Sequence, residues 1–311
     1  MKKIILAASA AIALASCGGV DYQKTPSGMV YKIIPGKGGD SLLKAGDYIK
    51  FNLDYVLTDR QGKSDSVLNP PSAMPGYLQV DTSKRNEYSF MEILTKLKSG
   101  DSAVAVLNID SLKAKGARLD SAVFAKGSSI QCRLRVIKAF KNEKDVRADY
   151  DNEIKLEEAR EVKSVEDYLA KNNIKGIKTK SGAYVVLDNP GDASLKADSG
   201  KLASIRYKGS LLSDPSKVFE TNMDTADQPI KVTVGRHGVI QGWEEALPYF
   251  GKGASGKVYI PSFLGYGPQG NGPIPPNSNL VFEIKVEDVT VAPAQEMDPR
   301  QMQMEQLQQP H

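Results

Sequence analysis

The stretch from Ile205 to Val289 decides how this chain of 311 residues folds. It contains, in order, Arg206-Tyr207-Lys208-Gly209, Val218-Phe219-Glu220, Val239-Ile240-Gln241-Gly242-Trp243-Glu244-Glu245, Ile260-Pro261, Gly265-Tyr266-Gly267, Ile274-Pro275-Pro276 and Leu280-Val281-Phe282. Near its end Phe282, Ile284 and Val286 alternate with charged residues. That period of two predicts a strand with one packed face and one wet face. The residues from Trp243 to Phe250 predict a short helix, which the glycines after it would end.

Taken together, these pieces resemble the FKBP-type peptidyl-prolyl isomerases. The resemblance implies an α+β domain over residues 176–292, in which a curved antiparallel sheet wraps around a short helix. It also implies a reaction that needs a dry apolar pocket and no metal, cofactor or nucleophile. The residues to which it gives catalytic roles are Tyr207, Phe219, Glu220, Trp243, Tyr266 and Phe282. Those to which it gives substrate contacts are Ile230, Val239, Ile240 and Ile274.

Within this resemblance Trp243 is the floor on which a proline ring packs, and the other aromatic residues are its walls. The backbone N–H of Ile240 and the hydroxyl of Tyr266 are expected to donate hydrogen bonds to the substrate. Two positions depart from the family's usual pattern. Glu220 stands where the family usually carries aspartate, and Ile230 where it usually carries an aromatic residue. We expect activity, with an altered hydrogen bond at Glu220 and an altered substrate preference at Ile230.

Each of these residues also has an ordinary structural interpretation. Trp243 is the only tryptophan of the chain, and a lone tryptophan is usually part of a core. Phe282 would be a core residue in most alternating strands, and Tyr266 between two glycines also fits an exposed turn. The order and spacing of the motifs favour the pocket.

The chain also repeats itself once. The segment Thr25-Pro26-Ser27-Gly28-Met29-Val30-Tyr31 is echoed by Thr179-Lys180-Ser181-Gly182-Ala183-Tyr184-Val185, and the strand starting at Ile130 by the one starting at Leu280. The offset between the copies drifts from 154 to 150 residues along the chain. A repeat this long predicts a duplicated domain, with the first copy at residues 25–140, and not a solenoid.

The first copy lacks the pocket residues of the second. In it Phe90 falls at the position of Trp243 and Cys132 at that of Phe282, while Lys113 falls near the position of Tyr266. Asn52 or Phe51 is expected at the position of Tyr207. We therefore predict that the first copy keeps an FKBP-like fold without isomerase activity. Its expected role is to bind other polypeptides or to act as a spacer.

Residues 141–175 are highly charged and join the two copies. Apolar residues recur there at helical spacing, and Ser164 followed by Asp167 resembles a capping box, which predicts two helices with a break near Ser164. Two interpretations remain open: a solvated spacer, or a helix pair for dimerisation or client binding. The predicted fold is thus two α+β, FKBP-like domains joined by a helical linker.

The first residues are typical of an export signal at residues 1–16. Met1-Lys2-Lys3 is basic, and the apolar run from Ile4 to Leu14 is shorter than the roughly 20 residues that span a bilayer. Leu14-Ala15-Ser16-Cys17 resembles a bacterial lipobox, which predicts lipidation of Cys17, a flexible segment at 17–24 and membrane attachment. The alternative is an ordinary secretory signal. The expected location is the cell envelope, on the outer membrane facing the periplasm.

Several other classes of function have little support in this sequence. The net charge of +4 falls to +2 once Lys2 and Lys3 are removed, which is too small to favour nucleic acid. The two histidines, His237 and His311, have no spaced partners for a metal site or a triad. Residues 293–311 are rich in Gln, Met and Pro and predict a disordered tail. If Cys17 carries lipid, Cys132 is either a core residue on a strand or a reactive thiol.

The leading hypothesis is a peptidyl-prolyl isomerase that assists the folding of exported proteins in the cell envelope. Its expected partners are proline-containing unfolded or folding polypeptides, the membrane through the lipid, and a second copy of the chain through the helical linker. The alternative is a non-catalytic envelope chaperone or client-binding adaptor. A third interpretation treats the folds as inert spacers, which an intact pocket would argue against.

Overall fold

A computed structural model describes residues 21–68, 74–224 and 226–292 of the chain. These residues form two compact units, divided between Ile154 and Lys155. The predicted signal segment, Cys17 and the predicted tail at 293–311 lie outside the described residues. In the part of the chain that is described, none of the helices combines the length and the apolar character needed to cross a membrane.

The first unit is mostly strand. Its strands are β1 (Gln23–Lys24), β2 (Val30–Ile34), β3 (Tyr48–Thr58), β4 (Ser64–Val67), β5 (Gly76–Gln79), β6 (Ser102–Asn108) and β7 (Ser129–Phe140). Its helices are the 3-10 helices Lys84–Asn86 and Phe90–Lys96 and the α-helix α1 (Ile109–Ala114). A long helix, α2 (Glu143–Lys171), begins in the first unit and ends in the second.

The second unit repeats this arrangement. Its strands are β8 (Ile177–Lys178), β9 (Tyr184–Asn189), β10 (Asp192–Lys196), β11 (Lys201–Leu211), β12 (Asp214–Thr221), β13 (Ile230–Thr233), β14 (Gly251–Lys252), β15 (Ser255–Ile260) and β16 (Leu280–Val291). Its helices are α3 (Gln241–Ala246) and the 3-10 helices Leu247–Tyr249, Ser262–Leu264 and Gly267–Gln269.

Both main sheets are antiparallel and have corresponding strand orders. The first unit has the order β1-β2-β6-β7-β3-β4, with β5 paired to β3. The second has the order β8-β9-β15-β16-β11-β12, with β13 paired to β11, and a separate ribbon of β10 and β14. In each unit the longest contact joins two strands of 11 and 12 residues, β3 with β7 and β11 with β16. The chain is therefore a mixed α and β protein with antiparallel sheets and a helix between them in sequence.

The two units also share hydrogen bonds at equivalent positions. The hydroxyl of Thr25 accepts the N–H of Met29 at 3.1 Å, and that of Thr179 accepts the N–H of Ala183 at 3.1 Å. Further equivalent backbone bonds are Gly46 to Val80 with Gly200 to Val234, and Gly100 to Val136 with Gly253 to Val286. The same turns thus begin the same strands in both units, although few of the side chains are identical.

Each unit has its own apolar core between the sheet and the short helices. In the first unit Ile49, Ile93, Leu94 and Leu134 are almost completely buried. Cys132 is fully buried among them, and burial raises the pKa of its thiol to about 12. A thiol held in this state is a poor nucleophile, so the structure supports the core interpretation of Cys132.

The prediction of two linker helices with a break near Ser164 is wrong. Helix α2 runs without interruption from Glu143 to Lys171. It contains no glycine or proline, and Ser164 lies exposed within it, where its side chain has no helix end to cap. The buried residues Glu161, Val165 and Leu169 are four apart, so one face of the C-terminal half of the helix is packed. The division between the units also falls inside the segment predicted as a linker.

The short helix of the second unit differs in its limits from the prediction. Helix α3 begins at Gln241 and ends at Ala246, and the chain continues as a 3-10 helix. Pro248 has no N–H to donate, which explains the change of hydrogen-bonding pattern at this point. Gly251 belongs to the short strand β14, and the left-handed backbone falls at Gly253, with φ of 80°.

Candidate active site

Pairing between the two long strands of the second unit brings the first two aromatic residues together. Tyr207 on β11 lies opposite Ile284 on β16, and Gly209 lies opposite Phe282. Residues two apart on a strand point to the same face, so Tyr207 and Phe282 share one face of the sheet. Their ring centroids are 6.2 Å apart.

Gly209 makes room for this arrangement. A Cβ at this position would collide with the rings of both Phe219 and Phe282. Phe219 meets Phe282 edge to face from β12, with centroids 5.7 Å apart and ring planes at 80°. Only a residue without a side chain allows the two rings to meet above the strand.

Helix α3 brings Trp243 to the same face. Its indole meets Tyr207 and Phe282 edge to face, with centroids 5.2 Å from each and interplanar angles of 87° and 88°. Aromatic rings favour this geometry because the positive edge of one ring faces the negative face of the other. Gly242 lets the helix approach β15, since a Cβ there would collide with the side chain of Ile260. The buried indole N–H has no hydrogen-bond partner among the described residues.

The two glutamates after Trp243 bond helix α3 to neighbouring loops. Glu244 accepts the N–H of Gly235 at 2.7 Å and so ties the loop before the helix to it. Glu245 accepts the N–H of Ser181 at 2.9 Å and the hydroxyl of Thr179 at 2.8 Å. The Gly-Trp-Glu-Glu run therefore combines one floor residue with two structural anchors.

An open cleft lies over these rings, and we call it the aromatic cleft. Its volume is about 410 Å³, within the range of small-molecule and peptide sites. The residues that line it are Tyr207, Glu220, Ile230, His237, Gly238, Val239, Ile240, Trp243, Tyr266 and Phe282. Eight of the ten residues predicted for catalysis or substrate contact are thus among its lining residues.

The other two predicted residues are not among these lining residues, but they pack on the same apolar core as Trp243 and Phe282. Phe219 meets Phe282 edge to face. Ile274 is 5% exposed and lies in a tight turn where its N–H and carbonyl both bond to Asn271. The prediction also missed two lining residues, His237 and Gly238. The positive φ of His237, 54°, shows a sharp turn there, and the Gly-Arg-His-Gly sequence around it was the available signal.

The hydroxyl of Tyr207 is held at one wall of the cleft. Burial raises the pKa of Tyr207, and the hydrogen bond and charge of the Glu220 carboxylate raise it further. The phenol is therefore neutral at physiological pH. Its backbone is fixed by the buried side chain of Asn222, whose Oδ1 accepts the N–H of Tyr207 at 2.6 Å. Sequence reasoning missed Asn222, because nothing in its local pattern predicts a contact 15 residues away.

Two lining residues, Ile240 and Tyr266, carry further polar groups. The N–H of Ile240 donates to none of the described residues, while the carbonyl of Ile240 accepts the N–H of Trp243 at 2.9 Å. Tyr266 is half-buried and follows the 3-10 helix Ser262–Leu264, whose Ser262 N–H donates to Asn279 at 2.9 Å. Gly267 has φ of 58°, which explains the glycine directly after Tyr266. The cleft thus combines an apolar floor with donors at its rim.

The first unit has different side chains at the equivalent places. Cys132 faces Tyr55 across β3 and β7, as Phe282 faces Gly209 across β11 and β16. Cys132 thus takes the position of Phe282, as predicted. A small thiol replaces a ring that forms part of the aromatic cleft in the second unit.

The predicted equivalent of Tyr207 is wrong. The same registers place Leu53, opposite Leu134, at the position of Tyr207, opposite Ile284. Asn52 points to the other face of β3, and Phe51 lies two positions earlier, where it packs against Phe90 with centroids 6.2 Å apart. Both strand pairs carry a bulge at the equivalent place near their start, so the offset of 154 residues that relates Thr25 to Thr179 also relates Leu53 to Tyr207.

Comparison with known proteins gives consistent matches. A sequence model described as FKBP-type peptidyl-prolyl cis-trans isomerase matches residues 194–287. Mouse (Mus musculus) peptidyl-prolyl cis-trans isomerase FKBP14 is 35% identical over 36% of this chain and 56% of its own length. The FKBP-type peptidyl-prolyl cis-trans isomerase FkpA of Escherichia coli K12 is 35% identical over 55% of this chain and 57% of its own length. The chain thus spans little more than half the length of these relatives. FK506-binding protein 1 of Eremothecium gossypii is 34% identical over 32% of this chain and 84% of its own length.

Proposed function

We propose that this chain, which belongs to the FKBP-type peptidyl-prolyl cis-trans isomerase family, catalyses rotation about X-Pro peptide bonds in the aromatic cleft. The observation that carries the proposal is the edge-to-face cluster of Trp243, Tyr207 and Phe282 beneath an open cleft of about 410 Å³. A proline ring is a compact apolar group of a size that would fit over the indole. Hydrogen-bond donors stand at the rim, where the chain on either side of the proline would pass.

The chemistry follows from the physics of the imide bond. Rotation about it is slow because twisting breaks amide resonance, with a barrier of about 18–20 kcal/mol. The planar forms are more dipolar than the twisted transition state, so water stabilises them more. A cleft lined by aromatic rings withholds that solvation from the planar forms and lowers the relative free energy of the twisted one. No proton transfer is required of the protein.

The rim donors act on the substrate's carbonyl groups. The free N–H of Ile240 and the hydroxyl of Tyr266 are placed to hold the chain while the imide turns. Tyr207, kept neutral by burial and by the Glu220 carboxylate, adds no charge of its own to the cleft. The aromatic rings of the floor and walls favour the less dipolar transition state for the reason given above.

The direct test is an isomerisation assay with a short Xaa-Pro peptide and the whole chain. We expect Trp243→Leu to lower kcat/KM by at least about tenfold, since it removes the floor. Phe90→Leu is the matched control, because Phe90 was predicted at the equivalent position of the first unit, and it should leave kcat/KM unchanged. A parent protein no faster than buffer would refute the proposed activity.

We further propose that the enzyme works on exported polypeptides in the cell envelope, held to the outer membrane by lipid on Cys17. The basis is the signal-like sequence of residues 1–16 and the lipobox-like residues before Cys17. Cells fed labelled palmitate should label the parent and not Cys17→Ser, and the variant should leave the membrane fraction. Equal labelling of both proteins would exclude this attachment.

For the first unit we propose a second, non-catalytic copy of the same fold that holds or spaces the client. This is supported by the corresponding strand orders and by Leu53 and Cys132 at the positions of two cleft residues. The altered residues of the first unit also favour the alternative function, a chaperone or adaptor.

The variant Trp243→Leu should distinguish the chaperone from the isomerase in an aggregation assay with a proline-free client. Full protection by this variant supports the chaperone, and loss of protection argues against it.

A dimer through helix α2 remains part of the proposal. Leu156 on this helix is 45% exposed, an apolar side chain in a charged segment. Sedimentation equilibrium of the parent and of Leu156→Glu would test it. A monomeric parent at all concentrations would remove the dimer from the proposal.

A further inference from the structure

The C-terminal half of helix α2 is an integral part of the second unit. Val165 is fully buried and Leu169 is 4% exposed, and both pack in an apolar cluster with Leu212, Tyr259 and Val281. Val162 lies so close to Gly182 that a Cβ there would clash with it. This half of the helix is therefore fixed on the same unit that carries the aromatic cleft.

One charged residue on this packed face makes a specific contact. Glu161 is 9% exposed, and its Oε2 accepts the backbone N–H of Phe263 at 2.7 Å. Phe263 lies in the 3-10 helix Ser262–Leu264, where a first-turn N–H has no partner within the helix. The carboxylate therefore caps this short helix from a position 102 residues earlier in the sequence.

The burial of Glu161 costs free energy, and no ion pair among the described residues offsets that cost. Burial raises the pKa of Glu161, and the charges of Glu157 and Glu158 add to the rise, although the Phe263 N–H opposes it. Among the described residues no lysine, arginine or histidine forms a salt bridge with it. A buried, unpaired carboxylate is unfavourable unless its hydrogen bonds are needed.

We propose that Glu161 is a positioning residue for Tyr266, and this rests on the proposed isomerase function. Tyr266 comes two residues after the 3-10 helix that Glu161 caps. On the opposite side the same helix is held by Asn279, whose Oδ1 accepts the N–H of Ser262. Glu161 and Asn279, which lie in different parts of the sequence, thus both hold the turn that positions Tyr266 at the aromatic cleft. Helix α2 acts on the cleft through Glu161.

The test compares Glu161→Ala with Glu166→Ala in the whole chain. Alanine has no acceptor for the Phe263 N–H, whereas glutamine would keep one. Both changes remove one carboxylate from the same helix, but Glu166 binds Lys178 and the hydroxyl of Tyr184, away from the turn. We expect Glu161→Ala to lower kcat/KM about tenfold, because small displacements of a positioned group are costly, and Glu166→Ala to leave it unchanged. In a Tyr266→Phe background, Glu161→Ala should have no further effect, since the two changes act through one group.

A readout that does not depend on activity separates this inference from the proposed function. With 13C-labelled tyrosine rings, the signal lost in Tyr266→Phe identifies Tyr266. That signal should shift in Glu161→Ala and stay in place in Glu166→Ala. If it stays in place in Glu161→Ala, or if Glu161→Ala still lowers kcat/KM tenfold in the Tyr266→Phe background, the positioning role is wrong. An inactive parent would refute the isomerase, while a shifted Tyr266 signal would still support the positioning.

Discussion

Gly209 lies directly opposite Phe282 across strands β11 and β16, and its missing side chain is the space in which the rings of Phe219 and Phe282 meet. The wall of the aromatic cleft therefore depends on a residue that contributes no atoms to its lining. Because Gly209 has no side chain, the rings of Phe219 and Phe282 pack edge to face above the strand. The contact with Phe219 holds the ring of Phe282 in place at the cleft.

Replacing Gly209 should damage the cleft by overpacking. Gly209→Ala would force the two rings apart, at a cost of about 1–3 kcal/mol in the free energy of unfolding. We expect a clear loss of kcat/KM and a change in the fluorescence of Trp243, which is the only tryptophan. Gly39→Ala is the control, because a Cβ there meets open space. Full activity in Gly209→Ala would show that the ring contact is dispensable.

Because one face of α2 is packed, replacing leucine with alanine should affect the free energy of unfolding differently at Leu169 and at Leu156. Leu169→Ala removes a buried side chain, 4% exposed, and should lower the free energy of unfolding by about 2–5 kcal/mol. Leu156→Ala makes the same change at a side chain that is 45% exposed, and should be nearly neutral. Urea unfolding followed by Trp243 fluorescence measures both, since Trp243 lies in the second unit. Equal effects would mean that this half of α2 is a free spacer.

The hydroxyl of Tyr207 predicts a dependence on alkaline pH. Burial and Glu220 raise its pKa in the folded protein above the ordinary value of 10.0, so the unfolded chain loses this proton first. The stabilisation is complete below pH 10 and is lost as the pH rises towards the raised value. The free energy of unfolding should therefore fall more steeply above pH 10 in the parent than in Tyr207→Phe. Parallel curves for the two proteins would show that the hydroxyl is not held as described.

The first unit holds the start of helix α2 through a cluster of charges. Asp149 accepts hydrogen bonds from Lys50 at 2.9 Å and from the hydroxyl of Tyr77 at 2.7 Å. Burial opposes ionisation of Asp149, but these bonds lower its pKa to about 2. Asp149→Asn leaves Lys50 paired with Glu153 alone and should cost about 1.5–3 kcal/mol, as expected for losing a hydrogen bond between charged groups. Asp151→Asn, at an exposed position of the same helix, is the control.

The same residue gives a prediction at acid pH. A lowered pKa means that the unfolded chain takes up the proton first, so the stabilisation from Asp149 is present above its ordinary value of 3.8. It should be lost as the pH falls from there to about 2. Circular dichroism should show a smaller loss of stability over this range in Asp149→Asn than in the parent. An identical loss in both would place the acid sensitivity elsewhere.

Much of the site was predictable from the sequence. Trp243, Tyr266 and Phe282 were found because each stands in a short motif whose order along the chain is characteristic. Phe219 belongs to the same motifs, and only the structure shows that its ring packs on Phe282. The equivalence of Leu53 and Tyr207 was missed, although the 154-residue offset of the repeat gives it, because that offset drifts along the chain and only strand pairing fixes it at this point.

The sequence by itself determined the strands, the repeat and the aromatic residues of the cleft, because periodicity, turn glycines and motifs are properties of neighbouring residues. Tertiary structure alone decided that Glu161 caps the turn before Tyr266, that Gly209 makes room for two rings, and that α2 is one helix with a packed face. The contacts behind the first two join residues far apart in the sequence, and the third depends on the surface that the helix meets. These contacts depend on which side chains become buried and on how distant segments are held together. The pattern of neighbouring residues in the sequence contains no information about either.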